Sequence, residues 1–349
     1  MTDISREAIV KRVFNFPKAV DADGNLNPSE STRPWESSTL LTRRCPALRS
    51  DLENALERKI YQAAFIGMDE PAAEADTICS AGNCTWPVFS SLGVCVSMSN
   101  ITDKLTVVTG YDKRLDASLP LDGQLSLWET PTKDHPADIV NMTSVEVRDE
   151  DGLAPFPPQR RTLADWDNPD VLNASFSQFF FIYTNQKFSP AAANTDRYRA
   201  VELLWHFCVN TYNVTVTDGK EKTEIVETNT KVEKPGDNTK PTEIILTNAD
   251  GSEKYGVSSY LNLEDTLALG FKGQYSEVFG GPGNPFWSPL TAQIGKKLFQ
   301  GLNDSMTADD VDGRLWSNLE TATTKIGQSI TTQYVSPCCQ SCLKVMDVY

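Results

Sequence analysis

Apolar and polar residues alternate through most of the middle of the chain, and the pattern switches to helical spacing nearer its ends. Strands are predicted over Leu105–Thr109, Gln124–Trp128, Ile139–Thr143 and Ser144–Arg148. Phe176–Tyr183 is apolar along most of its length, as a strand buried on both faces should be. Val201–Thr217 is a long β-branched and aromatic run, and Asp218-Gly219 supplies the residues a type I′ turn needs. Thr223–Val232 then alternates polar and apolar, which predicts a half-exposed return strand. A further strand, Glu243–Thr247, leads into an Asp250-Gly251 turn.

Three helices are predicted. Ser50 and Glu53 have capping-box spacing, and Leu52, Leu56, Ile60 and Ala64 form a stripe, so a helix should run over about 51–65. The others cover about 288–302 and 308–332. The last has Val311, Leu315, Leu319, Ala322, Ile326 and Ile330 on one face, Thr307 as N-cap, and Asp309 and Asp310 against the helix dipole. Residues 1–15 fit neither period, and 16–44 read as an extended arm. Residues 149–170 and 233–242 read as surface loops, and the Gly-rich run 270–283 as a loop between sheet and helices. The expected fold is α+β: an antiparallel sheet or sandwich, disulfide-stabilised, with one early helix and C-terminal helices. The expected organisation is an arm (1–44), a β-rich core (45–287) and a helical segment (288–349) packed on it, one ectodomain overall.

Composition narrows the class of partner. Hydrophobic residues make up 40% of the 349, enough for a core. A net charge of −15 repels phosphate backbones and anionic membrane surfaces, so no nucleic-acid partner is expected. The longest strongly apolar run, Phe179–Tyr183, is far short of a membrane span. Met1–Val20 carries Asp3, Arg6, Glu7, Lys11 and Arg12 and has no apolar core of a signal peptide.

Two features nevertheless point to export. Eight cysteines (Cys45, Cys79, Cys84, Cys95, Cys208, Cys338, Cys339 and Cys342) form an even, clustered set suited to disulfides, with 105 possible full pairings. Six N-x-[ST] sequons begin at Asn83, Asn100, Asn141, Asn173, Asn213 and Asn303. The expectation is a glycosylated chain, secreted or on the outer face of the plasma membrane, whose signal or anchor lies outside these residues.

Candidate chemistry is sparse. The two histidines, His135 and His206, would have to serve any Ser-His or Cys-His site. His206 lies within a strand between Trp205 and Phe207, where a half-buried structural histidine is expected. Cys338-Cys339-Gln-Ser-Cys342 could suggest zinc or a redox pair, but the sequons favour disulfides. Asp21-Ala-Asp-Gly24 fails as a calcium loop because Ala19 and Pro28 fall where it should not have them. The acidic groups Asp149/Glu150/Asp151 and Asp309/Asp310/Asp312 read as solvated surface rather than a glycosidase pair. Trp128, Trp166, Trp287 and Trp316 are candidates for stacking on sugars, although core packing suits Trp128 and Trp316 better. No catalytic residue, cofactor or metal is assigned.

Cys79-Ser-Ala-Gly-Asn-Cys-Thr-Trp-Pro-Val-Phe-Ser-Ser-Leu-Gly-Val-Cys95 reads as a disulfide-pinned corner with Trp86 pointing inward. Followed by Asn100-Ile-Thr102, it resembles the signature of a filamentous-fungal membrane family known only as domain of unknown function 3176. Val201–Val216 looks like that family's second conserved strand, and Leu315–Thr332 like its final helix. The resemblance implies a large extracytoplasmic domain between membrane helices, and no catalytic residues. It also implies two further cysteines, at positions filled here by Met98 and Leu203, so an apolar contact is expected to replace a disulfide of the relatives. The expected function is that of a non-enzymatic fungal surface domain for binding, sensing or assembly, with N-linked glycans and a cell-wall glycan or another surface protein as partners. A glycan-binding module, a secreted hydrolase and a self-assembling structural protein are the alternatives.

Overall fold

A computed structural model describes residues 58, 60–65, 67–68, 83–85, 87–109, 115–121, 126–129, 139–144, 162–184, 197–233, 244–257, 267–268, 270–276, 289–303 and 305–334. The fold is mixed helix and strand, with antiparallel sheets. Its axis is β8 (Tyr198–Thr217), and four other strands pair with it directly. The strand β7 (Ser175–Thr184) lies along the first half of one edge, and β9 (Lys220–Asn229) along the second half. The opposite edge is taken by β2 (Phe89–Asn100), continued by the two-residue β1 (Cys84–Thr85). Beyond β7 lie β6 (Ile139–Ser144) and β13 (Gly273–Ser276), completing seven strands. Two three-stranded sheets are separate: β3 (Thr106–Thr109), β4 (Leu115–Ser118) and β5 (Ser126–Glu129); and β10 (Val232–Glu233), β11 (Ile244–Thr247) and β12 (Lys254–Val257).

Alternation along β8 sorts its side chains onto two faces. Val201, Leu203, Trp205, Phe207 and Val209 enter the larger core, where Trp205 meets Phe179 edge-on at 5.1 Å and Phe207 packs on Phe176 at 4.7 Å. That core also takes residues from α2 (Pro289–Leu298), α3 (Ala308–Tyr334) and the helical residues 60–65. The whole predicted stripe of α3, from Val311 to Ile330, is buried there. On the other face, Tyr198 and Ala200 join a smaller core with Phe180, Ile182, Ile101 and residues of β4 and its flank. The large sheet is thus sandwiched between helices and the β3–β5 sheet.

Two contacts explain how α3 seals the β2 edge. The outward N–H of Val94 donates to Thr331 Oγ1 at 2.9 Å, which removes an orphan donor from the edge. Gly327 lets the backbones meet, because a Cβ there would sit 2.9 Å from the Val94 carbonyl oxygen. Thr307 and Asp310 cap the start of α3 reciprocally: the Thr307 hydroxyl lies 2.7 Å from Asp310 Oδ2, and the Asp310 N–H donates back to Thr307 Oγ1 at 3.2 Å. At the other side of the core, Lys297 donates to the Ala63 carbonyl and Lys325 to those of Gly67 and Met68, where the helical residues 60–65 end.

Several expectations hold. Asp218 and Gly219 both have positive φ (52° and 74°), as the predicted turn demands. All ten residues of β7 are buried. Others need correction. The stretch expected to be a corner is mainly strand: Leu92, Val94, Val96 and Met98 alternate with Gly93, Cys95, Ser97 and Ser99, a period-two pattern masked by small residues. Part of the 149–170 surface loop is buried at Ala164, and the six-residue helix α1 (Pro169–Ala174), capped by Asn168, starts where the loop should end. The Gly-rich run contributes β13. The return strand is exposed on both faces over residues 222–228, Ile225 and Val226 included, and a register shift opposite Thr211/Tyr212 interrupts its ladder with β8. The start of the first predicted helix and its capping box, the arm and residues 145–161 lie outside the described residues.

Candidate functional site

The face of β8 away from the helices carries a line of polar side chains at every second or fourth position: Glu202, His206, Cys208 and Asn210. The adjoining face of β2 presents Ser91, Gly93, Cys95, Ser97 and Ser99, set opposite them by the register. This seam is the one place among the described residues where cysteine, histidine, serine and carboxylate meet along the same strand pair.

Cys95 and Cys208 are joined by a disulfide, with Cα atoms 5.9 Å apart. Cys95 pairs with His206 and Cys208 with Gly93, so the bridge runs diagonally across the ladder. Asn210 sits beside it with Oδ1 3.8 Å from each sulfur. That oxygen accepts from the Thr228 hydroxyl at 2.8 Å, and Asn210 Nδ2 donates to the Tyr212 hydroxyl at 3.3 Å. Gly93 is the space for this arrangement, since a Cβ there would lie 2.8 Å from Asn210 Nδ2. The seam therefore consists of a covalent bond and an amide that links β8 to β9.

Two positions along, His206 and Ser97 are 3.0 Å apart through Nε2 and Oγ. Nδ1 faces the Phe207 carbonyl at 3.1 Å, so Nδ1 carries the proton and Nε2 accepts from Ser97. Serine donating to histidine is the first contact of a Ser-His nucleophile, but the group behind the ring here is a carbonyl rather than a carboxylate. Burial pushes the imidazole down to about 4, partly opposed by the Phe207 hydrogen bond. A base that weak holds few protons at neutral pH, and the ring works as a buried polar link.

Glu202 is fully buried and meets four N–H donors. The Leu163 and Ala164 amides donate to Oε2 at 2.9 and 2.8 Å; Trp166 Nε1 and Gln178 Nε2 donate to Oε1 at 3.2 and 2.7 Å. The carboxylate thereby clamps residues 163–166 onto the sheet, which explains why this part of the predicted loop is inside. The sequence signal was present: a single acid in the apolar run Val201-Glu-Leu-Leu-Trp205 must find donors if the strand is buried.

The other candidates are scattered. Cys84 lies in β1 opposite Val216. Cys45, Cys79, Cys338, Cys339, Cys342, Trp86, His135, Trp287 and Asp149/Glu150/Asp151 lie outside the described residues. Trp166 is taken by Glu202 and Trp316 packs half-buried against the larger core, as expected of a helix stripe; Trp128 lies in β5. Asp310 is used in the cap and Asp312 pairs with Arg199 at 3.0 Å. Among the sequons, Asn83, Asn100 and Asn303 are exposed; Asn141, Asn173 and Asn213 are half-buried within β6, α1 and β8. No group of three or more potential metal ligands occurs among the described residues. No described helix is long and apolar enough to cross a membrane. A cavity of about 410 Å³ opens on the helical side, lined by Phe65, Tyr275, Lys296 and Phe299 among others, and none of the seam residues lines it.

Comparison with family models, with curated proteins and with solved structures finds no match for this chain.

Proposed function

We propose that the chain is the glycosylated extracytoplasmic domain of a fungal surface protein, acting by binding, sensing or assembly without a catalytic step of its own. The observation that carries this reading is the pairing of β2 with β8. The two stretches that resemble the family's conserved motifs are neighbours along their length, joined by the Cys95–Cys208 bridge. The positions where relatives are expected to have further cysteines, Met98 and Leu203, are direct partners in the same ladder, with Leu203 buried and Met98 packed on the same core. A disulfide between paired strands suits an oxidising compartment. The exposure of three sequons is compatible with glycans there.

The test is made on protein from its native source, with free thiols blocked at lysis. Peptide mapping without reduction should recover Cys95 linked to Cys208. A membrane-impermeant amine reagent applied to intact cells should label the protein, and removal of N-glycans should increase its mobility on a gel. Reduced, unlabelled and unshifted protein would overturn the proposal.

A further inference from the structure

We infer that N-linked oligosaccharide is carried at Asn83, Asn100 and Asn303, and that Asn141, Asn173 and Asn213 stay bare. The inference rests on the exported reading above and adds which of the six sequons take the modification. In the transfer, the anomeric carbon of a lipid-linked oligosaccharide diphosphate forms a bond to Asn Nδ2. The carbon–oxygen bond to the diphosphate breaks, the lipid diphosphate leaves, and Nδ2 loses one proton. The amide oxygen is unchanged, so an asparagine whose structural work is done by Oδ1 can bear a glycan without losing that work.

The three exposed sequons share this arrangement. Asn83 Oδ1 accepts from the Asp218 N–H at 2.8 Å, tying the entry to β1 to the tip of the β8–β9 hairpin. Asn100 Oδ1 accepts from the Thr102 N–H at 2.9 Å. Asn303 Oδ1 accepts from the Ser305 N–H at 3.0 Å and from its hydroxyl at 2.6 Å. In each case the oxygen is held, which fixes the amide plane, while the side chain stands in solvent and no described residue bonds Nδ2.

The other three are placed differently. Asn141 pairs with Ile182 on one side and Gln274 on the other, inside a strand flanked by two more. Asn213 lies within β8 opposite Glu224, and Asn173 precedes the buried Ala174 in α1. A glycan at any of these would have to leave through the packing around a half-buried side chain, so chains modified there are disfavoured in the folded population.

The placement also follows the long strand pair. Asn83 lies by the hairpin tip on Asp218, and Asn100 ends β2 opposite Val201; the seventeen residues of β8 between these points span about 55 Å. Asn303 lies between α2 and α3.

Two samples test this. The full chain is led into the secretory pathway of a yeast host, purified as folded monomer, and deglycosylated by an amidase in heavy-oxygen water, which converts each glycosylated asparagine to labelled aspartate. Label should appear at positions 83, 100 and 303 and nowhere else. Asn83→Gln, Asn100→Gln and Asn303→Gln should each remove one glycan step on a gel, and Asn141→Gln, Asn173→Gln and Asn213→Gln none. Label at any of the latter three, or its absence at any of the former, would overturn the assignment. Native-source protein goes through the same treatment. Bare asparagines there, with the yeast sample labelled at the three positions, would overturn the exported reading while the site assignment stands.

Discussion

At the residue scale, two buried polar groups on β8 set measurable terms in stability. His206 is neutral in the folded chain down to about pH 4, against an ordinary value of 6.5 in the unfolded one. As pH falls through 6.5 the unfolded chain gains a proton that the folded chain refuses. Stability from this residue is complete above 6.5 and is lost as pH approaches 4, by up to ~3 kcal/mol. Urea unfolding of wild type and His206→Gln across pH 4–7.5 should show a steeper acid loss in wild type, and equal slopes would refute this account. Glu202 differs because it accepts from four N–H donors at once. Glu202→Gln turns one acceptor into a donor that faces N–H groups whichever way the amide lies, and should cost about 2–4 kcal/mol. The amides of Leu163 and Ala164, left with a weaker, neutral acceptor, should exchange hydrogen faster than those of β7. Unchanged exchange there would show that the clamp has another source.

At the element scale, the fit of α3 to β2 can be read from two glycines of the same helix. Gly327 meets the Val94 carbonyl, so Gly327→Ala should push the helix from the strand and cost about 1–3 kcal/mol. Gly313 has nothing within 4 Å of a new Cβ, so Gly313→Ala should stabilise by about 0.5–1 kcal/mol. Thermal melts of the two variants should move in opposite directions. The β2–β8 ladder offers a third test. Val94 directs its N–H away from β8, so Val94, Val96 and Met98 occupy non-hydrogen-bonded pairs, where side chains come closest. Met98→Cys/Leu203→Cys should therefore oxidise to a second bridge, recovered as a linked peptide without reduction, and free thiols in the folded variant would contradict the register. The hairpin after β8, the α3 stripe and the doubly buried β7 were legible because turn chemistry and periodicity are local. In β2 the outward face is built of serine, glycine and cysteine, which carry little strand signal on their own. The short α1 and β4 have too few residues for a period to emerge. The seam was half legible: its cysteines were evident, but their pairing and the partners of Glu202 and Asn210 depend on which strands lie side by side.

At the scale of the whole molecule, β8 is the element on which the rest depends, and the Cys95–Cys208 bridge ties it to an edge strand 113 residues earlier. The covalent loop encloses β3 to β7 and the first half of β8, so all the residues of the smaller core and part of the larger one lie inside it. Those strand pairings are distant in sequence, and the unfolded chain must close long loops to restore them. A bridge of this span acts chiefly by restricting the unfolded ensemble, and chain-entropy reasoning assigns a loop of this length ~4–5 kcal/mol. Cys95→Ala/Cys208→Ala should accordingly lose about 2–5 kcal/mol in urea at 25 °C. Part of that loss would come from the space left at Cys208, which is fully buried beside Asn210. The denaturant slope separates the two causes. A cavity weakens the folded state and leaves the slope alone, whereas an unconstrained unfolded chain exposes more surface and raises it. Wild type unfolded under reducing conditions keeps both sulfurs and should show the same raised slope with a smaller loss of stability. A lower midpoint at constant slope in both samples would mean that the bridge acts through local packing of the seam, and that the pairing of β2 with β8 is sufficient without it.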